Sequence, residues 1–151
     1  PGALHDERVA CHDESVVLNL GNMHLLGFHL RGARIASPFE HHTGELSPDQ
    51  VVNFTRRMAD GSLSNREIFE SKGHGPLHAD RSPVTARLPR LVAATGPRRD
   101  LLRGSALRPY FAAPYGDMMI GGCFGLLRAF ADVSPDSAPA IEHRLGPLPG
   151  A

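Results

Sequence analysis

The stretch Asn19-Leu20-Gly21-Asn22-Met23-His24 is the first whose residue types point to chemistry. A glycine inside a tight turn accepts φ > 0 and draws neighbouring N–H groups toward one point, a concavity that suits phosphate oxygens. Asn19, Asn22 and His24 add side-chain contacts. Gly-Asn also serves hairpin turns for conformational reasons alone, so both readings stand. A second candidate is Ala94-Thr95-Gly96-Pro97-Arg98-Arg99, at a strand-to-helix junction. Free amides and the positive end of a following helix favour part of a nucleotide near Gly96 and Pro97, although Gly-Pro is also plain punctuation. A third is Asp117-Met118-Met119-Ile120-Gly121-Gly122-Cys123-Phe124-Gly125. A glycine inside a helix costs about 1 kcal/mol relative to alanine, so this cluster needs close approach to another backbone or to a ligand. Gly121 and Gly125, four apart, share the bare face that permits it.

The nine histidines raise a metal hypothesis that their spacing argues against. His24 and His29 fall on opposite faces of one expected strand, and Gly75 and Pro76 interrupt the pair His74 and His78. Glu40-His41-His42-Thr43-Gly44 clusters polar groups in what reads as a loop; His41 and His42 face a site only if that loop neighbours the Gly21 turn. No metal ligands are assigned at this stage.

The elements that must position these groups begin with three strands, Val16–Leu20, Met23–Leu30 and Ala33–Ser37, joined by short turns into an antiparallel meander. The middle strand is apolar on both faces, which calls for cover on both. Ser47-Pro48-Asp49-Gln50 and Ser64-Asn65-Arg66-Glu67 are capping boxes opening helices that end at Gly61 and Gly73. Ser71 to Pro89 reads as a long loop. Then come a strand at Leu91–Ala94, a helix at Pro97–Arg103, a strand at Tyr110–Ala113 and a helix at Asp117–Ala131, a βαβα pattern with parallel strands. The expected architecture is an α/β domain over residues 15–132: a mixed five-stranded sheet, three antiparallel strands then βαβα, with helices on both faces. Residues 1–14 read as an irregular lead-in and 133–151 as a Pro-rich tail.

Composition narrows the function classes. The 151 residues carry 16 Lys+Arg against 16 Asp+Glu, so the positive excess needed to neutralise nucleic-acid phosphates or a membrane surface is absent. No window reaches the roughly 20 apolar residues of a bilayer span, and the start is too polar for a signal peptide, which points to the cytoplasm. Cys11 and Cys123 stand far apart in sequence, which supports neither a disulfide framework nor an iron–sulfur cluster.

Together, Asn-x-Gly-Asn between two strands, Thr-Gly-Pro-Arg-Arg after a later strand, and Gly-Asp-x-x-x-Gly-Gly opening the long helix resemble the second half of the actin-like ATPase superfamily. The resemblance implies a ribonuclease H-like domain that binds ATP with Mg²⁺: Asn19, Gly21, Asn22 and His24 near phosphate, Gly96, Pro97 and Gly122 along the nucleotide, His41, His42 and Asp117 facing the cleft. More narrowly, Asn19–His24, Phe39–Gly44, Gly73-His74-Gly75, Thr95–Arg99 and Pro114–Met119 look like an uncharacterised family labelled pyruvate formate-lyase activating enzyme. That resemblance spans roughly residues 9–131. Two departures matter. The superfamily has Asp where this chain has Asn19, so a catalytic carboxylate does not carry over to that position. Radical activating enzymes hold their cluster on three close cysteines, and this chain has two. Because the superfamily closes its nucleotide between two such domains, the implied protein is an ATPase or phosphotransferase half-domain, inactive alone, whose partner is an N-terminal domain of the same protein. The alternatives are a non-catalytic ribonuclease H-like module that docks a partner domain, and a metal-dependent hydrolase using the His-rich loops.

Overall fold

The computed structural model describes residues 1–79 and 87–148. The chain divides into two units, Asp13–Phe111 and Pro1–His12 together with Ala112–Ala151. The first unit is built on a five-stranded sheet with strand order β3-β2-β1-β4-β5. The strands are β1 (Glu14–Leu20), β2 (His24–Arg31), β3 (Arg34–His42), β4 (Leu91–Thr95) and β5 (Tyr110–Phe111). The first three pair antiparallel, while β4 runs parallel to both β1 and β5. The mixed sheet read from the sequence is present.

β3 runs five residues beyond its expected end at Ser37, straight through Pro38. In an antiparallel ladder one residue's N–H and C=O face the same side. The Pro38 carbonyl faces away from β2, accepting from Leu77 N–H at 3.2 Å, so the donor that proline lacks would have pointed outward too. The β2 ladder therefore loses nothing. Glu40 exchanges both backbone bonds with His74, and Ala79 N–H reaches Ala36 O. Residues 73–79, expected to be loop, thus lie as a strap along the outer edge of β3; 80–86 of that expected loop lie outside the described residues.

Two helices cover one face of the sheet. α2 (Pro48–Ala59) opens with the expected capping box, Gln50 N–H on Ser47 Oγ and Ser47 N–H on Gln50 Oε1, and with Pro48 in its first turn. α3 (Asn65–Glu70) has the same device in Ser64 and Glu67. Val51, Met58, Leu63 and Ile68 pack against Val16, Leu18, Leu20, Leu25, Val92 and Ala94. The opposite face carries Asn19, Leu26 and Glu40 in one register row, with Thr95 beside Asn19. The expected helix at 97–103 is one 3₁₀ turn, Arg99–Leu102.

The second unit corrects the reading of both termini. Residues 1–14 are not irregular throughout. A 3₁₀ turn at Gly2–His5 leads into the single helical turn α1 (Glu7–Ala10), where Asp6 caps by accepting from Arg8 N–H. Nor is the tail free of helix: α5 spans Ala138–Leu145, with Pro139 in the first turn, where a missing donor costs no intrahelical bond. Residues 149–151 lie outside the described residues. The long helix α4 covers Ile120–Val133, and no helix among the described residues is long and apolar enough to cross a membrane.

Candidate functional site

The carboxyl ends of β1 and β4 lie side by side, and the chain leaves them in opposite directions, to β2 on one flank and to β5 on the other. Such a divergence opens a crevice beyond the strand ends, the usual ligand position in open α/β sheets. Residues that follow the two strands meet at that end. Gly96, at φ +95°, is pressed against the end of β1: a methyl group there would stand 2.4 Å from Leu20 O and 2.7 Å from Asn19 Oδ1. Arg98 N–H donates to Leu20 O at 2.9 Å. The two candidate segments, 75 residues apart in sequence, are therefore joined by backbone contact.

The hairpin differs in detail from expectation. Gly21 does not use the left-handed region. Its N–H donates to His24 O at 2.9 Å, and a Cβ would stand 2.8 Å from that oxygen, so Gly21 is there for space and offers no amide outward. Asn22 and Met23 complete the turn, and among the described residues their N–H groups have no backbone or side-chain acceptor. Arg98 is exposed and reaches the same end of the sheet, since a methyl at Gly44 would stand 3.9 Å from its Nη1. No carboxylate among the described residues pairs with Arg98. Asn22, Met23, His24, His42, Gly44 and Glu45 line an open cleft of about 180 Å³.

Strand alternation separates the two adjacent histidines. His42 sits opposite His24, with ring centroids 5.2 Å apart, and His24 Nδ1 lies 2.6 Å from Glu40 Oε1. His41 does not face the cleft. It is 1% exposed, stacks on Phe54 at 5.7 Å and bonds Ser71 Oγ through Nε2 at 3.1 Å, a satisfied core histidine. Glu40 and Arg98 stand in two of the candidate segments without a role of their own in the sequence reading, and alternation carried through Pro38 would have given the first one.

Gly122 and Asp117 belong to the other unit. Asp117 is engaged locally, its carboxylate accepting from Met119 N–H at 2.8 Å and Ile120 N–H at 3.4 Å at the start of α4. Gly121 and Gly125 share a buried helix face against Gly2; a methyl at Gly125 would meet Gly2 N at 2.6 Å. The close approach is therefore to backbone, while Gly122 is exposed with no atom within 4 Å of its would-be Cβ. In the same unit His5 is buried, its Nδ1 2.9 Å from the Tyr115 hydroxyl. Burial first, then the Arg128 guanidinium, push its pKa below the ordinary 6.5. Cys11 and Cys123 are free and exposed.

Fold and site thus define a mixed α/β protein in which the segments after β1 and β4 meet by backbone contact, and an open cleft is lined by the β1–β2 turn and the end of β3. The chain belongs to the family described as "Putative pyruvate format-lyase activating enzyme (DUF1786)", whose model matches residues 1–101. No curated protein sequence and no solved structure matches the chain significantly.

Proposed function

We propose that this chain is a nucleotide-binding half-domain of the actin-like ATPase type, holding the phosphates of ATP at the ends of β1 and β4. The observation that carries this reading is the docking of the Gly96-Pro97-Arg98 turn on Asn19 and Leu20, beside a hairpin whose Asn22 and Met23 amides have no acceptor among the described residues. Arg98 supplies at that rim a guanidinium with no carboxylate partner among the described residues, the group best suited to bidentate phosphate contacts. The strand order, with an antiparallel meander flanked by parallel β4 and β5, is the one expected of a ribonuclease H-like domain.

Magnesium, a hard cation that takes oxygen ligands, would arrive on the phosphates, because Asn19 offers one amide oxygen and no charge. The residues of this chain orient and neutralise phosphate; a second domain of the same protein would complete the clamp. Met119 just before α4, with Ile120, Leu126, Phe130 and Val133 along it, are exposed apolar side chains that support a domain contact. The family's label implies radical chemistry on an iron–sulfur cluster, which needs three close thiolates where this chain carries two cysteines.

Isothermal titration of ATP with Mg²⁺ into the longest natural form of the protein tests the reading. A charge-assisted bond to phosphate contributes about 1.5–3 kcal/mol, so Arg98→Gln is expected to weaken binding about 10- to 150-fold. Equal affinities for wild type and variant, or no heat with the intact protein, would refute it.

A further inference from the structure

The β2–β3 pairing sets His24 directly opposite His42, and Glu40 lies two residues earlier on β3, on the same face. One donor atom from each of the three side chains lies within 4.8 Å of the other two. Around a common ion at about 2.1 Å, tetrahedral donors stand roughly 3.4 Å apart, so modest rotation of the side chains closes the set. His24 is free to make that movement, with its side chain 59% exposed. The other two histidines of the hairpin strands are committed elsewhere, His29 to Glu14 and His41 to Ser71.

We infer that His24, Glu40 and His42 form a site for one divalent transition-metal ion, its remaining coordination positions open to the cleft lined by Asn22, Met23, Gly44 and Glu45. Two imidazoles and one carboxylate match zinc or iron(II), whereas magnesium and calcium take oxygen sets. Three protein ligands leave room for water or for an oxygen of a bound oxyanion. The site stands on the β2–β3 register alone and requires no nucleotide.

The test is titration of the tag-free chain with Zn²⁺ by calorimetry and with Co²⁺ by visible absorption, in the absence of nucleotide. Binding of one ion per chain is expected, with intense tetrahedral or five-coordinate Co²⁺ bands. His24→Ala, His42→Ala and Glu40→Gln should each weaken it about 100-fold or more, with unchanged circular dichroism. Cys11→Ser removes the thiol 3.4 Å from His12 Nδ1, the competing exposed donor pair, and should leave binding unaltered. Should His42→Ala unfold the chain, His24→Ala at its exposed position decides. No binding up to millimolar metal overturns the inference, as does binding that survives His24→Ala or disappears with Cys11→Ser.

Discussion

Gly96→Ala is the sharpest perturbation of the junction between β4 and the β1–β2 hairpin. Two costs combine. The backbone at φ +95° is one that a residue with a Cβ adopts at about 1–3 kcal/mol. The added methyl also stands 2.4 Å from Leu20 O, and that atom is backbone, unable to swing aside like the end of a side chain. Moving it sacrifices the 2.9 Å bond from Arg98 N–H, about another 1 kcal/mol. The total is about 2–4 kcal/mol, which at roughly 4 °C per kcal/mol lowers Tm by roughly 8–16 °C. Gly104→Ala is the internal control, since Gly104 has φ +74° with no atom within 4 Å of its would-be Cβ. It carries conformational strain without the collision, and should lose about 1–2 kcal/mol. Thermal unfolding followed by circular dichroism measures both. If Gly96→Ala costs no more than Gly104→Ala, the backbone approach at Leu20 does not hold the two segments together.

In the other unit, Gly122→Ala should raise stability by about 0.5–1 kcal/mol, because the position is helical and open; any fall in denaturant midpoint would show that the surface of α4 is covered there. His5 gives a pH dependence. Its folded pKa lies below the ordinary 6.5, so unfolding takes up a proton between those values; its contribution is complete above about pH 6.5 and is lost as pH falls below it. Melting curves at pH 7.5 and pH 5.5 should therefore show a smaller acid loss for His5→Phe than for wild type, and an equal loss would remove His5 as the source.

The sheet was legible because its signals are local. Leu20-Gly21-Asn22 and Arg31-Gly32 punctuate apolar runs of strand length, and the capping boxes at Ser47 and Ser64 announce α2 and α3. Pro38 hid the rest of β3. A proline ends a strand only if its missing donor faces a partner strand, and here it faces outward, which no single-sequence rule reveals. That one misplaced boundary concealed the meeting of Glu40 and His42 with His24, and made His41 look like a cleft residue when it is core. The Gly121 and Gly125 spacing correctly signalled close approach, yet spacing cannot say whether the neighbour is ligand or backbone, and Gly2 answers that. The helices at Gly2–His5, Glu7–Ala10 and Ala138–Leu145 are short, and tertiary contacts rather than periodicity sustain elements of that size.

Residues 73–79 have a protective consequence. A naked ladder of amides and carbonyls invites a strand from another molecule, the first step toward intermolecular aggregation. Here one border of the sheet is partly covered by bonds to Ala36, Pro38 and Glu40, and the other ends in a strand of two residues, too short to template growth. Cutting this covering segment is expected to expose the nine-residue β3 to self-association.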